Sequence, residues 1–165
     1  MYQYSFANVD LIIEANYPDM PAGSPSSFKI QGFATGENLI SIARRAPIAT
    51  QTFGAYGDMV VNMQRIRAGD LAFPVLQNAL ENKYLQDYAN YFQQQADDNG
   101  QLVFPIQAKL VDNMGKDTCK MENGVILAMP PMMRGQTMST VNWVLTFETV
   151  TFNREHGGDL AQLGA

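Results

Sequence analysis

Between residues 33 and 92 the spacing of apolar side chains changes period. Short segments that alternate every second residue, separated by glycine turns, give way to apolar residues recurring every third or fourth position. A period-2 pattern followed by a period-3.6 pattern specifies a sheet carrying one packed helix. Nothing in this stretch stands apart from that framework as a catalytic group. The chain has 165 residues, 46% hydrophobic and 16% charged, enough apolar material for one domain spanning 1–165.

Residues 9–15 read as the first strand, with Val9, Leu11 and Ile13 on one face. The stretch 17–28 holds Pro18, Pro21, Gly23 and Pro25, which exclude regular structure and make it a long loop. Residues 28–35, 39–44 and 48–53 read as further strands, with a hairpin at 36–47. The turn Gly54-Ala55-Tyr56-Gly57-Asp58 leads into 59–67, where Met59, Val61, Met63, Arg65 and Arg67 share one face. Val60, Asn62, Gln64 and Ile66 take the other. Neither face is cleanly apolar, which suits a sheet facing a wet lumen or a neighbouring subunit.

The helix is expected to start near Gly69-Asp70, with Asp70 as its cap, or at Pro74, where proline fits a first turn. Leu76, Leu80, Tyr84, Tyr88 and Phe92 recur every fourth residue and form the stripe expected to bury. Leu80→Asp is therefore expected to destabilise the subunit. Tyr84, Tyr88 and Tyr91 read first as core or subunit packing and second as a binding surface. Residues 93–100, QQQADDNG, read as a polar break that ends the helix. Strands follow at 102–110, 118–129 and 140–152, the last with Val141, Trp143, Leu145 and Phe147 on one face. Asn123-Gly124 marks either a tight hairpin or a bulge. Residues 130–138 form a methionine-rich loop, and 153–165 a tail.

Sixteen acidic against eleven basic residues give a net charge of -5. That balance argues against sequence-specific nucleic-acid binding but suits a surface past which DNA slides. The start lacks the pattern of a secretory signal, and no uncharged apolar run approaches the roughly 18 residues of a membrane span. Synthesis in a cytoplasm without stable membrane association is the expectation. Cys119 and His156 are the sole cysteine and histidine, which excludes an internal disulfide framework and most zinc sites. Cys119 reads as a small buried hydrophobe, since a catalytic thiol would have to pair with His156.

Asp10, Glu14, Asp97, Asp98, Glu122 and Glu148 are too scattered in sequence to nominate an acid/base pair, and Asp97 and Asp98 fit a solvated turn. Phosphate-cradling and nucleophile-elbow motifs are absent. No catalytic, metal or cofactor site is expected. The basic cluster is Arg44, Arg45, Arg65 and Arg67. Arg44 and Arg45 should point to opposite faces of a strand, while Arg65 and Arg67 share one. Pairing with acidic residues of another subunit is favoured over a DNA patch.

The segment NLISIARRAPIATQTFGAYGDMVVNMQRI, followed by VLQNAL, resembles the tail tube proteins of contractile-tailed bacteriophages. Phe53-Gly54-Ala55-Tyr56-Gly57-Asp58 holds the place of that family's Val-Gly-Ala-Asp-Gly-Glu-like turn. Tyr56 replaces the acidic residue, and LAFP stands where many relatives have a Ser-Pro-x-Asn-like helix entry. The likeness extends more weakly over GQLVFPIQAKLVD, GKDTCKMENGVILAM and VNWVLTFETVTF.

The resemblance implies a β-sandwich or split barrel with one flanking helix. Six such subunits would close a ring with a continuous inner β-barrel, and rings would stack into a tube that conducts the genome during ejection. Closure would pair strand edges that otherwise invite aggregation, and head-to-tail contacts generate rings and stacks. Partners implied are further copies of the chain, the sheath, the baseplate, the tail terminator and viral DNA as transient non-specific cargo, all in a virion tail assembled in the host cytoplasm. On this reading Arg44, Arg45, Arg65, Arg67, Tyr84 and Tyr88 are candidates for the subunit interface. Glu37, Asp58, Glu122 and Glu148 are candidates for an acidic lumen. The 17–28 loop, the 36–47 hairpin and the tail are candidates for contacts between rings or with the sheath. Tubes of bacterial contractile injection systems share the architecture. A monomeric ligand-binding β-barrel and a hydrolase are the readings from other classes.

Overall fold

Strand β6, Gly69–Leu76, occupies the place where the sequence suggested a helix start. Leu71, Phe73 and Val75 are buried and alternate with half-buried Asp70, Ala72 and Pro74, so period 2 governs this segment. The computed structural model describes residues 6, 9–15, 25–34, 39–99, 106–113 and 116–154. Its other strands are β1 Val9–Glu14, β2 Ser27–Lys29, β3 Ser41–Arg44, β4 Ala49–Phe53, β5 Met59–Met63, β7 Ile106–Asp112, β8 Thr118–Val125 and β9 Thr140–Asn153, with one helix, α1 Leu80–Asn99. The fold is thus mainly β with one helix.

Seven strands form an antiparallel sheet in the order β2-β1-β7-β8-β9-β6-β3, and β4 and β5 form a second sheet of their own. The large sheet curls until its ends meet. Phe28 in β2 pairs with Ile13 of β1, and a few residues later Phe33 bridges Val75 of β6. Around that bridge Leu76 N–H donates to Gly32 O at 2.8 Å and Ala34 N–H to Pro74 O at 3.3 Å. One segment, 27–34, therefore touches both sides of the sheet and closes a split barrel. Pro74 fits within β6 because a residue's carbonyl and amide point to the same side of a strand. Its carbonyl faces Ala34, beyond the end of β3, so the missing N–H interrupts no pairing with β9.

The buried face belongs to alternate residues: Leu11 and Ile13, Ile106 and Ala108, Met121, and Trp143, Leu145 and Phe147, all nearly inaccessible. The alternation slips once in β8 and once in β9. Ile106 pairs with Gly124 but Ala108 with Met121, placing an extra residue in β8. Gly69 pairs with Phe147, yet Val150 N–H donates to Arg67 O, placing an extra residue in β9. The slips are adjacent, since Glu122 pairs with Thr149, and together they crease the sheet. Asn123-Gly124 is thus a bulge, with Asn123 at φ 56°. A Cβ on Gly124 would enter the Phe147 ring.

Helix α1 closes the core with Leu85, Tyr88, Ala89 and Phe92. The expected stripe holds for Tyr84, Tyr88 and Phe92 but not at its start: Leu76 belongs to β6, and Leu80 is 58% exposed. Asn82 fixes the entry. Its Nδ2 donates to Leu76 O at 2.7 Å, and its Oδ1 accepts from Trp143 Nε1 at 2.9 Å. Glu81 Oε1 accepts from Gln31 N–H at 2.9 Å, and Tyr88 OH donates to Pro25 O at 2.6 Å, tying the helix to the closing segment.

Other expectations also require correction. The helix runs through QQQADDN to Asn99, so Asp97 and Asp98 are helical. The strand expected at 28–35 is limited to Ser27–Lys29 plus the bridge at Phe33, and that expected at 59–67 to Met59–Met63. Of the stretch expected as a hairpin at 36–47, residues 36–38 lie outside the described residues, and strand β3 within it pairs with β6, Ser41 with Ala72 and Arg44 with Gly69. Glu37, His156, most of the 17–28 loop and all but the first two tail residues lie outside the described residues.

Candidate functional site

The β4–β5 ribbon projects as a hairpin. Gly54 N–H donates to Asp58 O at 2.7 Å and Gly57 N–H to Gly54 O at 3.0 Å, with Gly57 at φ 86°, a backbone angle that glycine adopts without steric cost. At the open end Gln64 N–H donates to Ile48 O. Ala49 pairs with Met63, Gln51 with Val61 and Phe53 with Met59. Directly opposed residues share a face, so Phe53, Met59, Val61 and Met63 gather on one side around Gln51 and Ala49. They are between 50% and 70% exposed. The other side carries Thr50, Thr52, Val60 and Asn62, with Asn62 Nδ2 donating to Thr52 Oγ1 at 3.3 Å. The hairpin is amphipathic, with its apolar side uncovered within the subunit. Strand 59–63 alone looks mixed. Only its register with 49–53 across the glycine turn separates the two faces, and that pairing was the signal available in the sequence.

The structure scatters the four arginines. Arg44 donates through Nε and Nη2 to Val150 O, at 3.1 and 2.7 Å, and its guanidinium lies 5.8 Å from the Phe152 ring centre. Arg45 pairs with Asp70 of the same chain at 3.0 Å, and Thr146 Oγ1 donates to that carboxylate at 2.9 Å. The Arg45 guanidinium holds Asp70 below the ordinary carboxylate value; burial opposes this and Thr146 assists. Arg44 of β3 and the adjacent Arg45 are thus engaged within the subunit. Arg65 and Arg67 are exposed on the arm leaving β5.

Tyr88 is 1% exposed, which removes it from the candidate interface. Tyr84 is half-buried, its ring 5.1 Å from that of Phe28. Of the acidic candidates, Glu122 and Glu148 both lie at the crease. Glu122 pairs with Lys120 at 2.9 Å, and Glu148 accepts from Asn123 Nδ2 at 3.2 Å. Asp58 lies elsewhere, in the hairpin turn. Cys119 is buried, and burial pushes its thiol up to about 11, so little thiolate exists at neutral pH. Among the described residues no group of three His, Cys, Asp or Glu is placed to hold a metal, and no helix is long and apolar enough to cross a membrane.

A family model, that of the bacteriophage PhiTE tail tube protein, matches residues 1–153. The chain belongs to this tail tube family. As a tail tube protein it has a structural role in a tube. None of the curated proteins compared matches it. Among solved structures, the tail tube chain is similar to one from the baseplate of the anti-feeding prophage, determined with sixfold symmetrisation. That match has a TM-score of 0.51 and 9% identity, covering 93% of this chain and 98% of the other. It is also similar to a chain from the sheath/tube terminator of an extracellular contractile injection system, PVC, in its extended state, with a TM-score of 0.51, 14% identity and the same coverages. At these identities the likeness is one of fold.

Proposed function

We propose that six copies of this tail tube protein close a ring, that rings stack into the inner tube of a virion tail, and that viral DNA passes through the channel. The observation that carries this reading is the uncovered apolar side of the β4–β5 hairpin. A two-stranded ribbon is marginal by itself in water, and a concentrated apolar patch marks an interaction surface. Repetition of one subunit supplies the cover. The choice of six copies draws support from the sixfold symmetrised anti-feeding prophage assembly, whose chain this one matches in fold over 93% of its length. Sheath, baseplate and terminator are the proposed neighbours, in line with the assemblies that contain the similar chains.

The surface chemistry fits a polyanionic cargo that must move. The exposed side of the sheet carries Asp10, Glu14, Glu122 and Glu148 against Lys29, Lys109 and Lys120, with Lys120 paired to Glu122 and Lys29 to Asp10. A channel wall on which carboxylates outnumber lysines and two of the three lysines are already paired gives phosphates little to hold. Negative-stain microscopy of the purified chain over a wide range of protein and salt concentrations tests the assembly. Rings or rods with a central channel are expected; monodisperse monomers under every condition would defeat the proposal.

A further inference from the structure

A groove of about 510 Å³ opens between β3 and the ends of β1, β7, β8 and β9. Ile40, Ile42, Leu110 and Phe152 give it an apolar lining, with Asp112, Asp117 and Arg154 also on its wall. Phe152 is 38% exposed there. We infer that this groove is the receptor for the β4–β5 hairpin of a second copy of the chain, which would lay Phe53, Met59 and Val61 against Ile40, Leu110 and Phe152. The inference rests on the tube reading and names the contact that reading requires.

Two observations support this occupant. The apolar side of the hairpin and the apolar groove lie on different parts of one chain, so one copy's hairpin in the next copy's groove is a heterologous contact. Such a contact repeats without limit or closes into a ring. The sizes agree. A cavity of about 150 Å³ accepts a benzene ring, so the groove has room for roughly three side chains of that size, and the hairpin offers Phe53, Met59 and Val61. The opposite hairpin face, with Thr50, Thr52 and Asn62, is left to water.

Cysteine cross-linking tests the contact in the assembled protein. In a Cys119→Ala background, Met59→Cys and Phe152→Cys are combined, rods are confirmed by microscopy, and a mild oxidant is added. Covalent multimers are expected from the double variant and from neither single variant. A ladder that stops at the ring size places the contact within a ring, and a longer one places it between rings; both support the inference. Val61→Cys with Leu39→Cys provides a second pair, read in the same way if the first pair does not assemble. Rods that yield no covalent multimers from either pair would overturn the inference and assign the groove to another occupant, the chain's own residues 155–165 included, while leaving the tube reading in place. Failure of the parent chain to form rods would instead defeat the tube reading and this contact with it.

Discussion

Arg45 and Asp70 illustrate how local chemistry decides a residue's role. In sequence, a basic pair beside a turn suggests a contact with another subunit, and Asp70, 25 residues further on, resembles a helix cap. Only the β3–β6 register brings the two side chains together. Asp70 is held below the ordinary carboxylate value of about 4, so the unfolded chain binds this proton more readily than the native protein does. The pair therefore contributes stability above the unfolded value, and that contribution disappears as pH falls through the lower native value. Urea midpoints measured from about pH 6 down to about pH 2.5 should fall more steeply for the parent than for Asp70→Asn. Parallel curves would mean that the ion pair contributes nothing. Asp10, lowered by Lys29 and then by Asn113, adds to the same acid-side loss.

At the level of elements, α1 buries the second half of the stripe its four-residue repeat suggested, Tyr88 and Phe92, but adds Leu85 and leaves Leu80 outside. Leu85 is fully buried whereas Leu80 is 58% exposed. Leu85→Ala should cost about 2–5 kcal/mol, and Leu80→Asp should stay within about 0.5 kcal/mol of the parent. Chemical denaturation of both variants checks the assignment, which fails if Leu80→Asp is the more damaging. The misplaced start of the stripe has a physical origin. Leu76 joins it only because Asp70 and Pro74 both resemble helix entries, yet Leu71, Phe73 and Val75 already alternate as a strand. The strands β1 and β9 and the inward row of β9 were legible from alternation, β4 from its threonines, and the turn at 54–58 from its glycines. Closure of the sheet by 27–34 was not, because it depends on one short bridge between Phe33 and Val75. The apolar face of the hairpin required two strands to be considered together, and the groove draws its lining from five strands, beyond the reach of any local pattern.

For the whole molecule, strand order matters more than any single contact. β1 pairs with β7 and β3 pairs with β6, so strands from before the hairpin turn flank, on both sides, the four contiguous strands that follow it. The turn itself, at Gly54 and Gly57, stands in the separate β4–β5 sheet. A backbone cut there would spare every pairing of the barrel, and exposed loop tips tolerate such breaks well. Fragments 1–56 and 57–165 should consequently be insoluble when produced alone but form a soluble complex when co-expressed, with melting close to that of the intact barrel. Independent folding of either fragment would show that the flanking strands are dispensable to the four they enclose. The chain can thus be divided in two without dividing its fold, which makes the hairpin turn a place to join foreign sequence or to control production of the subunit by supplying its halves separately.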